Sequence, residues 1–116
     1  MAITLQEIAD RLKLTPLTAL SKLTNTVTGG YVGDLLSDVM GHAKAGDVWV
    51  TLQIHQNIVA VASLKEIAGI ILIGGREPEK ATLVKAEEEK IAILLSKLPA
   101  FEVVGRLYEL GISGQR

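Results

Sequence analysis

The chain has 116 residues, 48% hydrophobic and 22% charged, and a net charge of −1. This composition predicts one globular domain over residues 1–116 and argues against disorder. The net charge provides no basic surface for nucleic acid, and an aromatic content of 3% is too low for base stacking. The absence of cysteine excludes disulfides and thiol catalysis and favours a cytoplasmic protein. No apolar run approaches the roughly 20 residues that span a bilayer, so no membrane association is expected.

The first quarter of the chain contains one clear helix signal. Thr4 and Glu7 match a capping box, which predicts a short helix that ends before Pro16. Threonine and serine then alternate with leucine and alanine over Leu17–Leu23, which predicts a strand. Gly29-Gly30 break the chain after it.

Next, Asp34 is a plausible N-cap for a helix over Leu35–Met40. Three short apolar runs follow, each bounded by turn residues as in the buried strands of parallel sheets. They are Val48–Ile54, Gly69–Ile73 and Ile91–Leu95. Trp49 is expected in the core or in a dimer contact.

Helix patterns alternate with these strands. They cover Ile58–Ala68 and Glu79–Glu89, and a last one begins after Pro99 and ends at Gly111. The sequence leaves two alternatives for the buried face of the last helix: Phe101, Val104, Leu107 and Tyr108, or Val103, Leu107 and Leu110. The alternation predicts an α/β fold, a mainly parallel sheet of about four to five strands with helices packed on both faces.

Polar or glycine-rich clusters flank the predicted strands, and parallel strands would bring several of them to one sheet edge, where ligands bind. The candidate ligand-binding residues are Thr28, Gly29, Gly30, His55, Asn57, Gly74, Gly75 and Arg76. Each cluster also has a structural interpretation. Paired glycines serve tight turns, and an arginine on a helix often pairs with a nearby glutamate such as Glu77 or Glu79.

His55 is a candidate ligand contact, and its titration near neutral pH would suit an acid or base. A turn-holding role for His55 and Asn57 is favoured, because no nucleophile–base–orienter set is evident. The chain has no GxxxxGK[ST] and no GxGxxG pattern. Asp34 and Asp38 could together hold a cation, although a cap and a surface position are favoured for them. We therefore predict no catalytic residue, no cofactor and no metal site.

Four segments stand out together: Thr28–Met40, Gly46–Thr51, His55–Ala62 and Phe101–Tyr108, reading TGGYVGDLLSDVM, GDVWVT, HQNIVAVA and FEVVGRLY. With these segments the chain resembles the DRTGG domain family. The family's Asp-Arg pair is absent, because Asn25 and Thr26 stand in that region. The resemblance implies an α/β domain similar to the non-catalytic N-terminal domain of HPr kinase/phosphorylase. It also implies a regulatory, ligand-sensing module that dimerises, of a kind found beside CBS domains.

Two main hypotheses follow. In the first, the chain is a non-enzymatic, homodimeric regulatory domain that binds a small anionic metabolite or a nucleotide at the sheet edge. In the second, it is an adaptor that binds a protein partner through the apolar helix Ile58–Ala68 and takes no small ligand. A small enzyme that uses His55 is a third and weaker hypothesis.

Overall fold

The computed structural model describes residues 2–114. Its helices are α1 (Leu5–Leu12), α2 (Leu36–His42), α3 (Asn57–Leu64), α4 (Lys80–Glu89) and α5 (Ala100–Glu109), with a 3-10 helix over Leu20–Thr24. Its strands are β1 (Ile3–Thr4), β2 (Thr15–Pro16), β3 (Thr26–Val27), β4 (Gly29–Val32), β5 (Asp47–Thr51), β6 (Gly69–Leu72) and β7 (Ile93–Leu95). None of these helices is long and apolar enough to cross a bilayer.

The main sheet has five strands in the order β2-β7-β6-β5-β4. Strands β4 to β7 are parallel to their neighbours, and β2 is antiparallel beside β7. A helix lies between each pair of consecutive parallel strands, as a parallel connection requires. The predicted mainly parallel α/β sheet is therefore confirmed. A separate pair, β1 and β3, was not predicted.

Helices cover both faces of the sheet, which is also as predicted. Successive strand residues point to opposite faces, so each strand contributes to two cores. One core joins strand residues to α1 and α5; its members include Val48, Val50, Ile71, Leu94, Leu5, Ile8, Val103 and Leu107. The other joins strand residues to α2, α3 and α4; its members include Trp49, Ile70, Leu72, Ile93, Val39, Ile58, Val59 and Ala86. Trp49 is thus a core residue.

The capping box at α1 forms as predicted. The Thr4 hydroxyl accepts from the Glu7 backbone N–H at 3.2 Å, and the Glu7 carboxylate accepts from the Thr4 N–H at 3.0 Å. Both donors would otherwise lack an intrahelical partner, so the box fixes where the helix begins.

The predicted strand over Leu17–Leu23 is wrong. The chain leaves the sheet after Pro16 and forms the 3-10 helix. The Thr18 hydroxyl donates to the Ile91 carbonyl at 2.7 Å and accepts from the Ile93 N–H at 3.0 Å. This buried side chain thereby bonds the backbone groups that a longer strand would have paired.

The last helix buries Val103 and Leu107, in agreement with the second of the two predicted faces. The first face is wrong, because the side chains of Phe101 and Tyr108 are 88% and 68% exposed. Both faces of this helix carry large apolar residues at helical spacing. The spacing alone therefore does not show which face is turned to the sheet.

Candidate functional site

The carboxyl ends of β4, β5, β6 and β7 lie at one edge of the sheet, because these strands are parallel. His55 and Asn57 follow β5, and Gly74, Gly75 and Arg76 follow β6. Since β5 and β6 are neighbours, these five predicted residues are on adjacent connections at the same edge. Ligands of open α/β sheets bind outside this edge, typically where the strand order reverses, whereas β4 to β7 follow one another here without a reversal.

Thr28, Gly29 and Gly30 are not at that edge. The prediction that they form a turn is wrong, because Gly29 and Gly30 begin β4 and pair with Asp47 and Val48 at the amino end of β5. The backbone N–H of Gly30 donates to the Ser113 carbonyl at 3.1 Å.

A Cβ atom added at Gly30 would lie 3.2 Å from the Ile112 side chain. This glycine therefore permits close approach of the segment after α5. Gly30 also lines a cavity of about 260 Å³ whose other walls include Val50, Leu107 and Ile112. Apolar walls do not suit an anion.

The Gly74-Gly75 turn meets a conformational need. Their φ angles are +66° and +69°, a left-handed conformation that other residues adopt at a cost. Their backbone N–H groups donate to the carbonyls of Leu98 and Ser96, both at 2.8 Å. These amides are therefore already bonded, and they hold the β6–α4 connection against the β7–α5 connection.

Arg76 follows these glycines with an exposed side chain. The expected partners Glu77 and Glu79 form no ion pair with it, and the two ion pairs within residues 2–114 involve other residues. An unpaired guanidinium can take a carboxylate or phosphate in bidentate fashion. Any anion contact made by this turn would therefore come from the Arg76 side chain.

His55 acts as a local cap. Its Nδ1 atom accepts a hydrogen bond from the backbone N–H of Asn57 at 3.1 Å, near the start of α3. This agrees with the turn-holding interpretation. A bonded Nδ1 leaves Nε2 as the ring nitrogen that could contact a ligand. Asn57 is the first residue of α3 and not its N-cap, which is Gln56.

Asp34 joins two connections at this edge, a role that was not predicted from the sequence. It does not cap α2, whose N-cap is Leu35. Its carboxylate instead accepts from the Thr51 hydroxyl at 2.8 Å and from the Leu52 N–H at 2.7 Å. These bonds end β5 at Thr51 and explain why the predicted strand Val48–Ile54 is shorter in the structure. The position of Asp34 after a glycine is a turn signal as well as a cap signal.

Asp38 has other partners, so the two carboxylates do not form a cation site. Asp38 accepts from the Tyr31 hydroxyl and lies 3.2 Å from Nδ1 of His42. Among the residues that the structure describes, no three His, Asp or Glu side chains are grouped to hold a metal ion.

The contact between Tyr31 and Asp38 makes the free energy of unfolding depend on pH in the alkaline range. Burial, together with the hydrogen bond and negative charge of Asp38, raises the pKa of Tyr31 to about 12. The protonated phenol therefore stabilises the fold fully below pH 10, and that contribution is lost as the pH rises towards 12. We expect the free energy of unfolding, measured by urea titration, to fall less steeply over this range in Tyr31→Phe than in the parent chain.

Asp38→Asn is the matched variant for this prediction. This variant keeps the burial of Tyr31 but removes the neighbouring charge. The free energy of unfolding should therefore fall less steeply with pH than in the parent chain. Equal slopes in the parent chain and Tyr31→Phe would contradict the prediction.

Among solved structures, the chain is similar to the CBS and DRTGG domains of the regulatory region of Clostridium perfringens pyrophosphatase, complexed with the activator diadenosine tetraphosphate. The TM-score is 0.73 at 16% sequence identity. The match covers 90% of this chain and 45% of that chain. No family model matches this chain, and no curated protein does. The likeness concerns the fold, and it agrees with the resemblance that the motifs indicated.

Proposed function

We propose that this chain, which has the fold of a DRTGG-like domain, is a regulatory domain that senses a small anionic metabolite and has no catalytic role. The observation that carries the proposal is the edge where His55, Asn57 and Arg76 follow two neighbouring parallel strands. Ligands of open α/β sheets bind outside the carboxyl ends of the strands, which is the edge where these residues lie. A cytoplasmic location remains a prediction from the sequence.

Arg76 is the residue on which the proposed site depends most. Its side chain is exposed, and within the described part of the chain no carboxylate pairs with it. Gly74 and Gly75 position it by holding the turn through bonded amides. Nε2 of His55 and the Asn57 amide supply polar contacts from the adjacent connection. Thr28, Gly29 and Gly30 have no part in the proposed site, because they lie at the opposite edge.

A nucleotide is the first ligand class to test. The similar fold in the pyrophosphatase structure comes from a regulatory region that was solved with a nucleotide activator. That activator belongs to the other protein, of which the match spans less than half. A phosphate-bearing ligand would also suit the guanidinium of Arg76.

The adaptor hypothesis finds little support in α3. Ile58, Val59 and Ala62 are all 0% exposed and pack in the core. The predicted contact surface is therefore occupied by the protein itself. The only large apolar residue that α3 exposes is Leu64, at its last position.

The homodimer remains part of the proposal, through a different surface. Phe101 and Tyr108 are seven residues apart and exposed on α5, and Tyr108 lines a cavity together with Val32 of the edge strand β4. Large exposed apolar side chains that lie together mark interaction sites. Sedimentation equilibrium of the chain tests whether a second copy covers them.

A thermal-shift screen with nucleotides, including diadenosine tetraphosphate, and with phosphorylated metabolites tests the proposed site. A ligand at about 100 times its dissociation constant adds about 2.7 kcal/mol of stability. We expect Arg76→Ala to abolish most of that gain. Lys44→Ala is the control, because it removes the same charge from an exposed position at the amino edge of the sheet and should keep the gain. A gain unchanged in Arg76→Ala, or no gain with any compound, would contradict the proposal.

A further inference from the structure

We infer that a groove between α1, the β7–α5 connection and α5 is a further binding site, one that holds the phosphoryl group of a small phosphorylated molecule. The groove encloses about 420 Å³, and its polar lining includes Lys13, Thr15, Ser96, Lys97 and Arg106. This volume lies within the range of about 300–1,000 Å³ typical of small-molecule sites. Arg76 does not line it, so the inference stands independently of the proposed function.

The charge of the groove indicates the class of ligand. Among the residues that the structure describes, Lys13, Lys97 and Arg106 are the only charged ones that line it, and all three are cations. Their side chains are exposed, and neither ion pair within residues 2–114 includes any of them. Like charges in one concavity repel one another and attract an anion.

The three cations come from separate parts of the chain. Lys13 is the C-cap of α1, Lys97 is in the β7–α5 connection, and Arg106 is on α5. An isolated lysine near a helix C-terminus is explained by the helix dipole alone. The same explanation covers Arg106 in the last turn of α5, but it accounts neither for Lys97 nor for the convergence of all three cations on one groove.

A neighbouring groove shows that this charge is local. It is larger, about 700 Å³, and shares Leu12 and Arg106 with the first. Its charged lining residues are Arg11, Arg106, Glu102 and Glu109, two cations and two carboxylates. The balanced charge gives no preference for an anion, so the smaller groove is the better phosphate site.

The wall between Lys97 and α5 is ordered by hydrogen bonds. Ser96 is 3% exposed, and its hydroxyl oxygen accepts from the Leu98 N–H at 3.1 Å. The Ser96 and Leu98 carbonyls accept from the amides of Gly75 and Gly74. The backbone that carries Lys97 is thus held before a ligand arrives, which lowers the entropic cost of binding.

A phosphoryl group suits this groove better than a carboxylate. A phosphate monoester carries about −1.5 to −2 charge at pH 7, against −1 for a carboxylate. It also presents three acceptor oxygens to the two ammonium groups and the guanidinium. One dianion among the three cations leaves a net charge of about +1, whereas one carboxylate leaves about +2.

The test is a ¹H–¹⁵N correlation NMR titration of the chain with inorganic phosphate, at constant ionic strength maintained with sodium chloride. We expect saturable shifts at the amides of Lys13, Thr15, Lys97 and Arg106. Lys97→Ala and Arg106→Ala should each raise the dissociation constant about tenfold, because each removes charge-assisted hydrogen bonds. The spectra themselves report whether each variant is folded.

Two matched variants remove an arginine outside the groove. Arg11→Ala acts in the balanced groove and Arg76→Ala at the β6–α4 turn, so both should leave the dissociation constant measured at the amides of this groove within twofold, and any phosphate that Arg76 binds should shift amides of its own turn instead. Shifts that never saturate, or equal weakening in all four variants, would mean general attraction of ions and overturn the inference. Loss of phosphate binding in Arg76→Ala alone would also overturn the inference, and it would support the proposed site at the sheet edge.

Discussion

Trp49→Ala is expected to lower the free energy of unfolding by about 4 kcal/mol, the largest effect that we predict for a single residue. The indole is 0% exposed and packs in the core that α2, α3 and α4 form against the sheet. Its Nε1–H donates to the Gly33 carbonyl at 2.9 Å, which ties the β4–α2 connection to β5. Alanine leaves both a cavity and an unpaired carbonyl.

Two variants separate these causes. Trp49→Phe fills much of the volume but cannot bond Gly33, so it should cost less than Trp49→Ala and still destabilise by about 1–3 kcal/mol. Val84→Ala is the surface control, because Val84 is 60% exposed and should change stability by less than about 0.5 kcal/mol. Unfolding is followed in urea by circular dichroism, since Trp49 is the single tryptophan. A cost below 1 kcal/mol for Trp49→Ala would contradict the core assignment.

The second large effect is expected at the Gly74-Gly75 turn. An alanine at either position would be forced into a left-handed conformation, which costs about 1–2 kcal/mol per residue. Apart from the glycine itself and its chain neighbours, no described heavy atom lies within 4 Å of a Cβ added at either position, so the cost is conformational and not a clash. The double variant Gly74→Ala/Gly75→Ala should be less stable than either single variant in urea titrations.

Gly105→Ala is the matched control for this turn. Gly105 is also exposed, and apart from its chain neighbours and the backbone of its own helix no described atom lies within 4 Å of its added Cβ, but it is in the interior of α5. There alanine should raise the free energy of unfolding by about 0.5–1 kcal/mol. The change in the free energy of unfolding is therefore expected to have opposite signs in Gly75→Ala and Gly105→Ala. Equal signs would show that the turn has been misassigned.

Part of the candidate site was predictable from sequence. His55, Asn57, Gly74, Gly75 and Arg76 were expected at one edge because each follows a buried strand, and the parallel sheet confirms that placement. The hydrogen bonds that hold these residues in place were not predictable. The amides of the two glycines bond to the connection after β7, which is more than 20 residues away in sequence.

Thr28, Gly29 and Gly30 show why the rest of the site could not be predicted. A glycine pair reads as a turn, yet here it is strand backbone approached by the segment after α5. The pairing partner that decides this, β5, begins at Asp47. Local sequence carries no information about which distant backbone comes close.

The sequence by itself determined the α/β class, the capping box at Thr4 and Glu7, and the order of the later helices and strands. These features depend on the spacing of apolar residues and on hydrogen bonds between near neighbours. Only the tertiary structure decided which face of α5 is buried. It alone also brought Lys13, Lys97 and Arg106 to one groove. Such proximity depends on strand order and helix packing, which are set by contacts among residues far apart in the chain.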